Sequence, residues 1–205
     1  MFIVLICGPS CAGKTYLADY LKYVFKDKVT SIGFDCYCND YSYLPHEELK
    51  NVNFDCPEAY DGNLLSQHLK LLKQGQPINR PVYDFSTHKR LNDTVLIYPN
   101  DILIVEGIMT FQYKELLELA DLKVFIDAEE HVRFNRRFDR DQRERGRSPE
   151  SIIYQFNHTV KPMQKLYIDP VKDLADIIID NSENNGPLPM ATPLVKALEK
   201  VLENV

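Results

Sequence analysis

Short apolar runs alternate along most of the chain with segments whose apolar residues recur every three or four positions. The runs are Phe2 to Cys7, Val29 to Phe34, Ile102 to Val105, Lys123 to Ile126 and Asp176 to Ile179. Several are apolar throughout, the signature of strands covered on both faces. The helical period predicts helices over Lys14 to Lys26, Pro57 to Gln74, Lys114 to Ala120, Glu129 to Arg143, Ser148 to Val160 and Thr192 to Glu203. Pro57 and Pro149 suit first helical positions, and Ser148 suits a cap. Strand and helix in turn predict an α/β fold, a doubly wound parallel sheet. The segment from about 76 to 98 breaks the alternation. Pro81, Tyr83 and Phe85, then Val95 to Tyr98, read as two antiparallel strands joined by a polar turn. Such a β-hairpin insertion often covers the carboxyl edge of the sheet, where ligands bind.

Composition narrows the partners. A chain of 205 residues can bury a sufficient core without disulfides or a structural metal, so a single domain over 1–205 is expected. Eight Gly and twelve Pro leave no room for a low-complexity linker, and there is no internal repeat. The net charge of −6 gives no broad footprint for nucleic acid or an anionic membrane, so anions must be bound locally. No apolar run approaches the ~20 residues of a membrane span. The first residues lack the basic segment and cleavage site of a secretory signal. The five cysteines are odd in number and irregularly spaced. They suit reduced thiols in a cytoplasm, with Cys36 and Cys38 the two least readily taken as simple packing residues.

Gly8-Pro9-Ser10-Cys11-Ala12-Gly13-Lys14-Thr15 matches G-x-x-x-x-G-K-[ST] at every fixed position, after a strand and before a helix. The glycines let successive N–H groups face one anion, and the helix adds its N-terminal donors. Lys14 supplies a cation for the outer phosphates, and Thr15 a hydroxyl for a magnesium ion bridging two of them. The loop alone leaves kinase, hydrolase, GTP switch and motor open. A GTP switch is excluded, because no Asp stands three residues before a glycine and there is no Asn-Lys-x-Asp.

Asp35 and Glu106 each follow an apolar run, which places both at carboxyl ends of strands beside the loop. Phosphoryl transfer gains from a carboxylate that takes the acceptor proton and from a second anion on the metal. Asp35 is assigned as base, within reach of the metal, and Glu106 to the magnesium or its waters. Seven of the nine arginines fall between Arg133 and Arg147. Arg133, Arg136, Arg137 and Arg140 recur at helical spacing on one face, a ladder of guanidinium forks suited to phosphate. Glu144-Arg145-Gly146-Arg147 then breaks the helix, so residues about 136–149 form an arginine-rich lid. The competing reading is a solvated face laced with Asp139, Asp141 and Glu144, which accounts best for Arg133 and Arg143.

Three further strings carry a resemblance: Asn53-Phe54-Asp55-Cys56-Pro57-Glu58-Ala59-Tyr60-Asp61, Pro81-Val82-Tyr83-Asp84-Phe85-Ser86-Thr87-His88-Lys89-Arg90, and Glu144-Arg145-Gly146-Arg147-Ser148. With the loop and Asp35, the chain resembles the uridine kinase (uridine-cytidine kinase) family of P-loop kinases from about Ile3 to Ile179. The resemblance implies transfer of the γ-phosphoryl group of ATP or GTP, with Mg2+, to the 5′-hydroxyl of uridine or cytidine. It further implies pyrimidine salvage by a cytoplasmic homo-oligomer, a tetramer. By motif, Asp35 is the base, while Asp55 and Arg137 hold the ribose hydroxyls. Tyr83, Phe85, His88, Arg147 and Gln155 surround the pyrimidine, and Arg140 and Arg145 reach phosphate. The residues agree in kind: a carboxylate accepts two sugar hydroxyls, and aromatics stack on a flat base. Asp55 doubles as a possible cap for the helix at Pro57.

Two departures from the family pattern stand out. Cys36-Tyr37-Cys38-Asn39-Asp40 replaces the usual aromatic and basic residues after Asp35, and Pro9 removes one N–H from the phosphate loop. The rival readings are a P-loop kinase for nicotinamide riboside, pantothenate or a sugar phosphate, and a nucleotide-binding regulator without turnover.

Overall fold

The computed structural model describes residues 1–49, 52–85, 87–183 and 186–203; Ser86, within the hairpin string, lies outside them. Five parallel strands form the central sheet: β1 (Phe2–Cys7), β2 (Val29–Gly33), β5 (Ile102–Glu106), β6 (Leu122–Asp127) and β7 (Ile177–Asp180), in spatial order β2-β5-β1-β6-β7. β1 shows why apolar runs were needed. Ile3, Leu5 and Cys7 point into one core, while Val4 and Ile6 point into the other, and all five are fully buried. The second core is closed by α1 (Lys14–Phe25), through Leu17, Ala18 and Leu21, and by α8 (Pro187–Leu202), through Ala191, Leu194 and Leu198. The first is closed by α3 (Gly62–Lys73), α4 (Lys114–Leu119) and the hairpin of β3 (Ile78–Asp84) and β4 (Lys89–Ile97). Burying each large aliphatic side chain contributes roughly 1.5–3 kcal/mol, so neither face can be uncovered cheaply.

Register fixes the functional edge. Glu106 pairs with Ile6 of β1 on one side and with Gly33 of β2 on the other. The carboxyl ends of three adjacent strands, each followed by a site segment, therefore lie side by side. The antiparallel hairpin carries a bulge between Pro81 and Tyr83. A bulge re-aims the strand beyond it, and Tyr83 is turned inward and buried. Arg90 of β4 then donates to the carbonyls of Tyr37 and Cys38 and pairs with Asp61 at 3.3 Å. That lashes the hairpin to the segment after β2.

Several boundaries differ from the sequence expectation. β2 stops at Gly33, one residue short of the expected Phe34, and Phe34–Tyr37 make a 3-10 turn that carries Asp35 just past the strand. The helix expected from Pro57 is interrupted. Pro57–Ala59 form only a 3-10 turn, Tyr60 is extended and bridges Cys38, and α3 begins at Gly62. Its cap is Asp61, which accepts from the Leu64 N–H at 3.0 Å, so the capping role suggested for Asp55 belongs to Asp61. α5 (Glu130–Arg145) runs two residues further than expected, to Gly146, whose left-handed φ of 59° suits a helix end. α6 (Pro149–Gln155), capped by Ser148 as expected, passes into a π-helical turn, Phe156–Val160. The helical path continues through α7 (Lys161–Met163) and a second π turn to Leu174. Pro162, with no N–H to donate, sits between the two π turns. α8 starts at Pro187, five residues before the expected Thr192, because a first-turn proline gives up an N–H that has no helical partner. The four-residue helix α2 (His46–Leu49) had no periodic signal to announce it.

Candidate active site

Between β1 and α1 the chain curls through positive φ at Gly8 (144°), Cys11 (62°) and Gly13 (110°). A Cβ on Gly8 would lie 2.0 Å from the Ile126 carbonyl oxygen, and one on Gly13 would lie 2.4 Å from Asn181 Nδ2. Asn181, just after β7, donates to the Ala12 carbonyl at 2.8 Å and so braces the curl from outside. Lys14 is buried and folds its ammonium back onto the carbonyls of Gly8 and Pro9, each at 2.9 Å. Burial lowers its pKa, opposed by the nearby Glu106 and Asp35 carboxylates.

Beside the curl, the Thr15 hydroxyl donates to Glu106 Oε1 at 3.1 Å. Burial pushes the Glu106 carboxyl up to about 7, and the Asp35 charge pushes the same way. Two acids and a hydroxyl thus face one small volume that Lys14, Arg136 and Arg140 also line. A Cβ on Gly107 would meet Phe34 Cβ at 2.7 Å. The absence of that Cβ lets the end of β5 close against the turn holding Asp35. Phe34 in turn packs on Tyr60 and Tyr113, with ring centroids 4.9 and 5.3 Å apart.

Two chambers open from this edge. Cys11, Gly13, Lys14, Thr15, Glu106 and Arg136 line the first. Phe54, Asp55, Tyr83, Phe85, His88, Arg137, Arg145, Arg147 and Gln155 line the second. Ser10, Asp35, Ile108 and Arg140 line both and form the shared wall. Every residue expected around an acceptor therefore converges on one chamber, although they come from the segment after α2, the hairpin, α5 and α6. Asp55 is 8% exposed. Burial raises its pKa, and Arg137 and Arg147 oppose the rise. His88 stacks on Phe54 at 4.6 Å and 14°. Burial and the Arg147 charge lower its pKa, keeping the imidazole neutral near pH 7. The Tyr83 hydroxyl is buried and finds no partner among the described residues.

The arginines divide by role. Arg137 reaches Ser10 Oγ at 2.9 Å and Gln155 Oε1 at 2.8 Å, and Arg147 also meets Gln155. Arg145, expected at phosphate, lies instead over the Phe85 ring at 5.7 Å, on the side of the second chamber. Arg133 is no solvated residue. It is 3% exposed and ties the start of α5 to the Ala128 carbonyl and to Gln164. Arg143 is exposed, as expected. Asp141 also departs from the solvated reading, being wholly buried with four arginines around it.

Sequence reasoning missed Tyr60, Phe54 and Asp141 as site residues. The Tyr60 hydroxyl lies 3.2 Å from the Phe54 carbonyl oxygen and 3.4 Å from Asp35 Oδ1, which orients the aspartate. Phe54 and Tyr60 both lie within the Asn53 to Asp61 string, so both were within reach. Asp141 carried no local signal. The two cysteines after Asp35 are packing residues here. Cys36 meets the Arg80 guanidinium of the hairpin, and Cys38 is buried, which pushes its thiol pKa up. No cluster of His, Cys, Asp and Glu suited to a metal occurs among the described residues.

Comparison with known proteins agrees with this architecture. The model of the phosphoribulokinase/uridine kinase family matches residues 3–186. A protein named uridine kinase from Halalkalibacterium halodurans is 39% identical over 198 residues, covering 96% of this chain and 94% of its own. Another of that name from Clostridium novyi is 41% identical over 184 residues, covering 89% and 88%. Among solved structures, a possible uridine kinase from Bacillus stearothermophilus superposes with a TM-score of 0.61 at 20% identity, over 86% of this chain and 87% of that one. That likeness speaks for the fold alone. With a family model spanning nearly the whole chain and relatives near 40% identity, this protein belongs to the phosphoribulokinase/uridine kinase family.

Proposed function

We propose that the protein is a nucleoside kinase that transfers the γ-phosphoryl group of ATP or GTP to the 5′-hydroxyl of uridine or cytidine, as in pyrimidine salvage. The observation that carries this reading is the shared wall: one carboxylate, Asp35, lines both the glycine-curl chamber and the aromatic chamber. A triphosphate in the first and a sugar in the second would present phosphorus and hydroxyl to each other across it. The relatives named uridine kinase support this acceptor class.

In the proposed reaction, the curl amides and Lys14 hold the β- and γ-phosphates. Asp55 and Arg137 take the ribose hydroxyls, and Tyr83, Phe85, His88, Arg147 and Gln155 frame the base. As the 5′-oxygen bonds to the γ-phosphorus, the bond from that phosphorus to the β,γ-bridging oxygen breaks, and the hydroxyl proton passes to Asp35. Arg140, on the shared wall, faces the group in flight, where a guanidinium neutralises charge best. The oxygen donors Thr15, Glu106 and Asp35, grouped beside the glycine curl, fit a hard cation such as magnesium. When bound, it supplies charge neutralisation and a fixed orientation of the phosphates. Residues about 136–149 serve as the lid of a single domain over 1–205. The exposed Val95, Leu96 and Tyr98 on the hairpin suit an interface in a homo-oligomer. A cytoplasmic setting belongs to the same reading; no helix among the described residues is long and apolar enough to cross a membrane.

A phosphorylation assay with a panel of acceptors tests it: uridine, cytidine, purine nucleosides, nicotinamide riboside, pantothenate and sugar phosphates. Saturable turnover confined to uridine and cytidine, with product phosphate on O5′, is expected. Turnover of pantothenate or a sugar phosphate with none of uridine reverses the assignment, and nucleotide binding without any product converts it to a regulator.

A further inference from the structure

Asp141 has no place in the reaction just described, yet no other side chain in the lid is so enclosed. It lies in the last turns of α5, fully buried, at the centre of a ring of guanidiniums. The two carboxylate oxygens divide that ring. Oδ1 accepts from Nε and Nη2 of Arg140 at 2.9 and 2.8 Å and has Arg145 Nε at 3.7 Å. Oδ2 faces Arg147 Nη1 at 3.4 Å and Arg137 Nε at 3.5 Å. Its backbone is used as well, for the Asp141 carbonyl accepts from the N–H groups of both Gly146 and Arg147, closing the turn that separates α5 from α6. One residue thus shapes the turn and gathers the four arginines that line the second chamber and the shared wall.

The charges explain why such a residue is needed. Four guanidiniums converging without an anion would repel one another across a partly desolvated space. In the free protein no phosphate is there to hold them. Arg137 Nε, 3.5 Å from Oδ2, is a buried donor that makes no hydrogen bond among the described residues, so the ring is not saturated.

We propose that Asp141 is a positioning residue that serves as the resident counter-anion of the lid. In the free protein it holds Arg137, Arg140, Arg145 and Arg147 at their working places, and its charge sets how strongly that cluster attracts free anions. The residue touches neither substrate. It acts through the arginines, so that Arg140 meets the transferred group already aligned rather than being recruited by it. The inference rests on the kinase reading for its catalytic consequence, but not for its anion consequence.

The test uses D141N, which preserves shape and removes charge, with D141E, which keeps charge and lengthens the arm. Sulfate is the probe, titrated against thermal melting with neither nucleoside nor nucleotide present. D141N should melt lower than the parent in the absence of sulfate. Its apparent sulfate Kd should be at least about tenfold lower than the parent's, because one opposing charge at about 4 Å has been removed. D141E should keep the parent's sulfate response. In turnover, D141N should lose roughly 10- to 100-fold in kcat, as for misplaced catalytic groups. The KM for the nucleoside, whose contacts include Arg137 and Arg147, should rise more than the KM for ATP. A merely structural aspartate predicts a lower melting temperature with an unchanged sulfate Kd, and that result overturns the proposal. So does a D141N chain that refolds no better with sulfate than without. If the sulfate shift appears in a protein that phosphorylates no nucleoside, the kinase reading fails while the assignment of Asp141 stands.

Discussion

Replacing Asp35 by Asn removes the proposed proton acceptor while leaving its shape and its contact with the Tyr60 hydroxyl. General-base loss costs about 10²–10⁴ in rate, or roughly 2.7–5.5 kcal/mol of barrier. The geometry points to the upper half of that range. A stand-in base would have to line both chambers, and neither other nearby acid does, since Glu106 lines only the phosphate side and Asp55 only the acceptor side. A loss of about 10³–10⁴ in kcat is therefore expected. Binding and folding should respond differently. The curl and Lys14 remain, so the ATP Kd should change by less than about threefold, far below the 1.4 kcal/mol of a tenfold effect. Asp35 is also one of the charges that lift Glu106 to about 7. An acid whose folded pKa is raised is penalised when ionised, and the penalty is fully present above that folded value and fades as pH falls toward the ordinary carboxylate range. Removing the Asp35 charge relieves part of it, so D35N should melt no lower than the parent at pH 8. Single-turnover quench experiments, a fluorescent ATP analogue and a melting curve read the three quantities. A kcat within tenfold of the parent, or a loss residing mainly in ATP affinity, refutes the role assigned to Asp35.

Other outcomes follow from the same geometry. Gly8→Ala should lower stability by roughly 1–3 kcal/mol from backbone strain alone, since φ is 144° and the added carbon would overlap the Ile126 carbonyl; a melting temperature equal to the parent's would contradict the described curl. His88→Ala should raise the KM for nucleoside more than that for ATP, and equal effects would remove it from the acceptor chamber. In the parent, nucleoside KM should stay flat from neutral pH down to the usual histidine pKa and rise only below it, because burial and Arg147 hold the imidazole neutral; a rise already at pH 7 would contradict that. Asp141, buried but held below the usual carboxylate range by Arg140, Arg137 and Arg145, contributes stability that is fully present above that range. The contribution is lost as pH falls through the depressed value. Acid unfolding of D141N should lack this component, which paired melts across pH 2–5 would detect.

Local spacing carried what the sequence revealed. The phosphate curl, the strand-end acids and the hairpin are written in contiguous residues whose chemistry depends on their neighbours in the chain, and the structure has all of them, with Asp35 in the turn just past its strand. The sheet was equally legible, because a strand buried on both faces must be apolar throughout. What escaped detection depended on contacts across the fold. Arg133 and Asp141 belong to a charged, helix-period segment that resembles a solvated face. Arg133 is enclosed by its bonds to Ala128 and Gln164, and Asp141 by the arginines that close around it. Asp55 and Pro57 pointed to a helix start that the structure moves to Asp61, because the bridge between Tyr60 and Cys38 keeps Tyr60 extended. The π turns around Pro162 have no periodicity distinct from an α-helix and could not be separated from one.

A bisubstrate ligand tests most directly whether donor and acceptor meet across Asp35. Uridine and adenosine joined 5′ to 5′ through a tetraphosphate span both chambers only if these share the wall described here. Steady-state inhibition competitive against both uridine and ATP is predicted, with D35N binding the adduct as tightly as the parent does. Inhibition competitive against one substrate and noncompetitive against the other would show that the chambers do not adjoin, and would contradict the account.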